Sequence, residues 1–196
     1  MPMKRAGLII LIVVGLATAA ATAAGHETAT PNAANCGGTL WRLKTFSDIG
    51  RRLVRLTPEV TTIADIGKRA FPRPVPRHRR TQFQRQAWEV VAQVTQYRLE
   101  NGGLRLVLYD AGSYLNAVIP LPSCLSAKTR ARPQLAAVWK QFVGACAQPT
   151  SSWQPLGAIA YVGGIGFWGQ KRALKGAARN GAELHPVTDI RIVAGC

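Results

Sequence analysis

From residue 88 onward the apolar and polar positions fall into runs whose period is legible. Trp88 to Glu100 is apolar at Val90, Ala92 and Val94 and then, on the opposite phase, at Tyr97 and Leu99, the pattern of a strand that bulges partway along. Asn101-Gly102-Gly103 then makes a tight turn, because asparagine and glycine tolerate positive φ. In Leu104 to Tyr109, Leu104, Leu106 and Leu108 share one face, leaving Arg105, Val107 and Tyr109 on the other. After Asp110-Ala111-Gly112, the run Tyr114 to Pro120 keeps Leu115, Ala117 and Ile119 inward and turns Tyr114, Asn116 and Val118 outward. The period then changes. Between about Pro133 and Val143, Leu135, Val138, Trp139, Phe142 and Val143 form a helical stripe, with Pro133 in the first turn and Gly144 as the expected C-terminal cap. Leu156 to Trp168 is apolar with glycines at 157, 163, 164 and 166, which predicts a bent, buried strand where backbones approach closely. Glu183 to Val193 closes the series, alternating Thr188, Ile190 and Ile192 with Asp189 and Arg191.

Three strands, a helix and two strands is the element order of an OB-fold, a five-stranded barrel with its helix between the third and fourth strands. The expectation is a mainly β, OB-like barrel (β-β-β-α-β-β) over residues 88–196, preceded by an N-terminal extension over 36–87. The helix stripe would plug the open bottom of the barrel, so Trp139 and Phe142 are core residues rather than a cofactor box. The GGxG at Gly163 to Gly166 is not a nucleotide loop, since no helix start follows and no phosphate-binding Lys-Ser/Thr sits at the required place. Within the extension, Trp41 to Ile66 has no sustained period and reads as short elements packed on the barrel. Phe71 to Arg80 carries prolines at alternate positions, which excludes helix and central strand. An exposed, solvated linker is expected there, the alternative being an electrostatic arm for a polyanion.

The N-terminus changes the setting. Lys4 and Arg5, an apolar run from Ala6 to Ala19 and then Ala21-Thr22-Ala23 make the three-part pattern of a secretory signal peptide over 1–24, with 25–35 a loose segment after cleavage. The alternative is an uncleaved anchor, against which the apolar run is short. Removing the segment takes two of the 25 basic residues and none of the nine acidic ones, so the net charge falls from +16 to +14. A field of that sign favours anionic partners: an anionic polymer, an envelope component or nucleic acid. Four cysteines, Cys36, Cys124, Cys146 and Cys196, are even in number and lack CxxC spacing, which in an exported chain points to two disulfides. Spacing does not choose among the three pairings.

Candidate chemistry is sparse. Between the last two strands, Lys171, Arg172, Lys175 and Arg179 precede Asn180-Gly181 in a loop that in OB-folds often frames the ligand groove. With outward Arg105, Tyr109, Tyr114 and Asn116 it would make a basic, partly aromatic ligand-binding face. Glu183 and His185 are two apart, so on a strand they share a face and could form an acid/base pair, with Lys44 and Asp48 as further catalytic candidates. The ordinary alternative is a hydrogen-bond network at a strand end. Too few ligands cluster for a dedicated metal site, and no cofactor is indicated.

Trp41-Arg42-Leu43-Lys44-Thr45 with Asp48, Ile119-Pro120 with Cys124, Val162 to Trp168 and above all Asn180-Gly181-Ala182-Glu183-Leu184-His185-Pro186-Val187 resemble a family of exported bacterial proteins without an assigned function. The resemblance implies export and a shared fold, and it implies pairing of Cys36 with Cys124 and of Cys146 with Cys196. Where that family usually has Asp and, three residues on, His, this chain has Gly169 and Arg172, which puts in doubt any activity that depends on those two groups. The leading expectation is non-catalytic binding of an anionic ligand or envelope component. The alternatives are a hydrolase, acting on phosphodiesters for example through Glu183 and His185, and an envelope protein-interaction module.

Overall fold

The longest strand organises the domain. In the computed structural model, which describes residues 36–100, 102–146, 148–169 and 174–196, β2 (Gln86–Glu100) pairs along its length with β5 (Gln154–Trp168). Its other edge is shared between β1 (Arg55–Val60), parallel at the start, and β3 (Gly103–Asp110), antiparallel at the end. β4 (Ser113–Pro120) follows β3 in register, and β6 (Ala182–Ala194) lies between β4 and β5, parallel to the first and antiparallel to the second. The order β1-β2-β3-β4-β6-β5, with β5 returning to β2, closes the five later strands into an OB-like barrel. The sequence pattern placed all five. The sixth, β1, was not legible, because its Arg-Leu-Thr-Pro-Glu-Val run is mostly exposed and contains Pro58, so it shows neither alternation nor an apolar run.

The register slips by one residue between Val94 and Gln96, which is why the inward phase of β2 changes from Val90, Ala92 and Val94 to Tyr97. Those residues meet Leu104, Leu106, Leu108, Leu115, Ala117, Ile119, Val162 and Leu184 in the main core. The helix α3 (Arg132–Ala145) plugs it with Val138 and Phe142, whose ring meets Tyr97 edge-on at 5.2 Å. Trp139 and Val143 are only partly buried, and Leu135 belongs to a second cluster with Phe46, Val54, Leu125 and Ile165. Gly144 does not end the helix. It lies inside the last turn, and Cys146 takes the cap position, joined by disulfide to Cys196. The second disulfide joins Cys36 to Cys124, so both pairs are those that the family resemblance implies.

Closure depends on the glycines of β5. A Cβ on Gly166 would lie 2.1 Å from the Phe83 carbonyl oxygen, and one on Gly164 would lie 2.9 Å from Leu184 Cβ. Here the bent strand read from the sequence is borne out, with register shifts against β6 at these positions.

The extension is built from α1 (Trp41–Lys44), a 3-10 turn (Ile49–Leu53), β1 and α2 (Ile63–Lys68), whose first turn is capped by the Thr62 hydroxyl accepting from the Asp65 N–H at 3.0 Å. The proline and arginine segment is no free linker. Pro76 and Arg79 are buried, while Arg73, Arg77, His78 and Arg80 stay in solvent. The Arg79 guanidinium, with side-chain exposure of 1%, donates to Asp48 Oδ1 and to the carbonyls of Leu43 and Gln84 at 3.0–3.1 Å and lies over the Phe46 ring. A buried cation needs that set of acceptors. Asp48 is thereby a structural counter-ion and no longer a catalytic candidate.

Asp48→Ala leaves the guanidinium buried and uncompensated, so it should lower the unfolding free energy by about 3–5 kcal/mol. Urea denaturation checks this; a loss under about 1 kcal/mol, as for an exposed pair, would contradict it.

Candidate functional site

The face formed by the outward residues of β3, β4 and β6 holds the chemistry. Asn116 and Glu183 are register partners across the parallel β4–β6 pair, so their side chains leave the barrel on the same side, with His185 two residues further along β6 and Arg105 and Val107 beside them on β3. Sequence alternation placed Arg105 and Asn116 in solvent. The structure buries both, because other parts of the chain cover this face. The turn at 174–181 presses on it so closely that a Cβ on Gly176 would lie 2.4 Å from Val107 Cγ1. From the other side comes Lys44 at the end of α1, its Nζ 5.8 Å from the centre of the Phe167 ring, which itself stacks at 5.4 Å on the His185 imidazole.

Under this cover the charges converge. Arg105 is bound through Nε by Glu100 Oε1, and Arg98 holds the other oxygen of the same carboxylate at 2.7 Å. Arg105 Nη1 lies 3.7 Å from Glu183 Oε1, and Glu183 Oε2 lies 3.8 Å from His185 Nδ1, both separations too long for hydrogen bonds. Arg105 Nη1, Glu183 Oε2, His185 Nδ1 and both polar atoms of the Asn116 amide are all buried without a hydrogen-bond partner among the described residues. A buried polar atom left so costs about 1–3 kcal/mol. Five of them on one face is unusual for a native domain, where such atoms are few.

Burial pushes the His185 imidazole down to about 4; Glu183 favours the protonated ring and offsets part of this, while Lys44 and Arg105 oppose it. At neutral pH the ring is uncharged. Burial by itself raises the Glu183 carboxyl, but His185, Arg105 and Lys44 outweigh it, so the group sits below the ordinary carboxylate range and stays ionised. Among the described residues, Arg98 and Arg105 hold Glu100, and Arg105 and Lys44 act on Glu183.

Of the other candidates, Tyr109 and Tyr114 pair across the β3–β4 hairpin with ring centres 4.9 Å apart, and Tyr114 is 47% exposed. They lie on the same face as Arg105 and Asn116, at its open end. Asn180 is buried and consumed structurally: its Nδ2 donates to the carbonyls of Ile66 and Arg69, closing the end of α2, and its Oδ1 accepts from the Ala182 N–H. It binds no ligand. Lys175 and Arg179 are exposed, with Lys175 Nζ 5.5 Å from the Trp153 ring on whose face Arg98 also stacks. Lys171 and Arg172 lie outside the described residues. The structure therefore brings Lys44, Arg105, Glu183 and His185 together and leaves Asp48 and Asn180 elsewhere. Glu100 and Arg98 were missed; their only sequence signal was two charges flanking Leu99 at the strand end. Among the described residues no three His, Cys, Asp or Glu side chains gather to hold a metal ion.

Gly169 abuts this cluster, since a Cβ there would lie 2.6 Å from Glu183 Oε1.

No family model matches the chain, and no curated protein matches it either. Two solved structures are similar in part: an aspartyl-tRNA synthetase from Entamoeba histolytica, 18% identical with a TM-score of 0.44 over 71% of this chain, and a protein of Leishmania major Friedlin assigned as an aspartyl-tRNA synthetase, 13% identical with a TM-score of 0.43 over 73%. This chain spans 22% of the length of each. Neither likeness bears on ligand or reaction, and the OB-like assignment rests on strand order and register.

Two outcomes follow from the site. Asn116→Val removes two unpaired buried atoms at similar volume and should raise the unfolding free energy by about 1–3 kcal/mol in the absence of ligand; a loss of stability in urea would show that the amide is paired in solution. Because the folded-state pKa of His185 lies below its unfolded value of 6.5, the unfolded chain binds the extra proton on acidification. Stability should fall between pH 6.5 and about 4, by about 3 kcal/mol. Glu183, held ionised in the fold, adds to the loss only at lower pH. Denaturation followed across that window should show a shallower slope for His185→Gln; equal slopes would contradict the assignment.

Proposed function

We propose that this chain is an exported binding module, related to the bacterial family its motifs resemble, whose OB-like barrel holds an anionic ligand at the β3–β4–β6 face without transforming it. The observation that carries this reading is the pair of unpaired buried donors, Arg105 Nη1 and Asn116 Nδ2, on one face of the barrel. An anion accepting from them would satisfy groups that the fold leaves unsatisfied. Export is supported by the charged, apolar and small-residue order of residues 1–24 and by the two disulfides, which persist in oxidising compartments. No helix among the described residues is long and apolar enough to cross a membrane.

The hydrolase reading has Glu183 and His185 close enough to couple, and their ionisation argues against it. A useful acid or base titrates near the working pH. An imidazole at about 4 is a weak base, and an ionised Glu183 has no proton to give.

The test is thermal denaturation of the wild type and of Asn116→Val with phosphate, sulfate, acetate and citrate at constant ionic strength. At least one anion should raise the wild-type midpoint in a saturable way and leave the variant unmoved. Equal shifts in both proteins, or no saturable shift for any anion, would overturn the proposal.

A further inference from the structure

The 3-10 turn Ile49–Leu53 leaves two large apolar side chains in solvent, Ile49 at 79% and Leu53 at 57% exposure. One exposed leucine on a protein surface says little. These two share a single short turn, and that turn is fastened from below. Val54, the next residue, is buried in the cluster with Phe46, Leu125, Leu135 and Ile165. Arg130 Nη1 donates to the carbonyls of Arg51 and Val54 at 2.6 and 3.0 Å, and Arg51 Nη1 donates to that of Asp48 at 3.0 Å. Turning Ile49 and Leu53 inward would break these bonds, so the fold presents both to solvent.

The charge around the turn has one sign. Residues 36–58 and 121–134 meet here, through the Cys36–Cys124 disulfide and the Arg130 N–H donating to the Phe46 carbonyl at 3.0 Å. Together they hold eight basic residues and one acidic residue, Asp48. Asp48 is buried in its pair with Arg79, whereas Arg42, Arg52, Arg55, Lys128 and Arg132 are exposed. No acidic side chain of either segment reaches solvent to neutralise them.

Exposed apolar side chains and unneutralised cations ask for different things. A soluble polyanion such as single-stranded nucleic acid answers the cations, but its bases stack on aromatic rings, and Ile49 and Leu53 offer none. A protein partner needs about 800 Å² on each side, far more than one turn supplies. An anionic lipid surface answers both demands, since its headgroups attract the cations and its acyl boundary takes in apolar side chains to a depth of about 5–10 Å. Independently of the anion-binding reading above, we propose that the Ile49–Leu53 turn docks the domain peripherally on an anionic lipid surface. Ile49 and Leu53 enter the headgroup layer, and Arg42, Arg52 and Arg55 lie against lipid phosphates.

The test is sedimentation of the chain from residue 25 onward with vesicles of phosphatidylcholine alone and of phosphatidylcholine mixed with phosphatidylglycerol. That chain lacks the apolar run Ala6 to Ala19, which would itself enter bilayers, and keeps every strand and both disulfides. Binding should be about tenfold tighter to the mixed vesicles and should weaken as salt rises. Ile49→Ser with Leu53→Ser should lose about tenfold on the mixed vesicles, and Arg52→Gln with Arg55→Gln a similar factor. An unchanged urea midpoint confirms that each variant is folded; Ile49→Ser alone, expected to lose about threefold, serves if the double change perturbs the turn. Equal binding of wild type and the serine variants to the mixed vesicles would leave a purely electrostatic attraction and overturn the proposal. So would equal binding to both kinds of vesicle, or none to either. A single-stranded oligonucleotide bound alike by wild type and the serine variants, without vesicle binding, would assign the arginines to a soluble polyanion and likewise overturn it.

Discussion

Barrel closure between β2 and β5 is the constraint on which everything else rests. It sets the backbone of β5 against Phe83, in the turn before β2, and against Leu184 of β6 with no side chain between, which glycine at 164 and 166 permits. Once closed, the sheet has only two kinds of position, inside and outside. The inside is filled by leucines, valines and the Phe142 plug. The outside over β3, β4 and β6 is where the extension and the 174–181 turn come down, and that second layer turns an ordinary solvated face into a low-dielectric one. The depressed His185 is a direct product of this covering.

How much was legible follows from the range of the interactions. All five barrel strands and α3 were readable because their signals are local: an inward leucine every second residue, an apolar stripe at helical spacing, a turn at each boundary. The phase change in β2 was readable as a bulge for the same reason. What could not be read was the cover. Arg105 and Asn116 alternate like solvent-facing residues, and nothing within ten positions of either shows that Lys44 or the turn beyond Leu174 will fold over them. Asp48 looked like a candidate acid because its partner Arg79 lies 31 residues away in a segment that reads as linker. Asn180 looked like a ligand group because the carbonyls it closes are more than 100 residues distant.

The unpaired buried atoms of the β3–β4–β6 face cost stability. A core of the same shape with an apolar residue at 116 would be the more stable domain, by the ordinary cost of unpaired buried atoms. Retaining an arginine, a glutamate, a histidine and an asparagine there makes sense where a ligand completes the network. At neutral pH the same residues are held in fixed ionisation states, His185 neutral and Glu183 charged.

The disulfide between Cys36 and Cys124 has a mechanical consequence. A pull applied upstream of Cys36 does not have to travel through α1, the Asp48–Arg79 pair and β1 to reach the barrel. The covalent bridge hands the load straight to the segment after β4, and the Cys146–Cys196 bridge does the same for a pull at the other end, delivering it to the foot of α3. Lys44 and the layer over the β3–β4–β6 face therefore sit in a slack part of the chain. A domain wired in this way can be tethered at either end and sheared without the force passing through the β3–β4–β6 face.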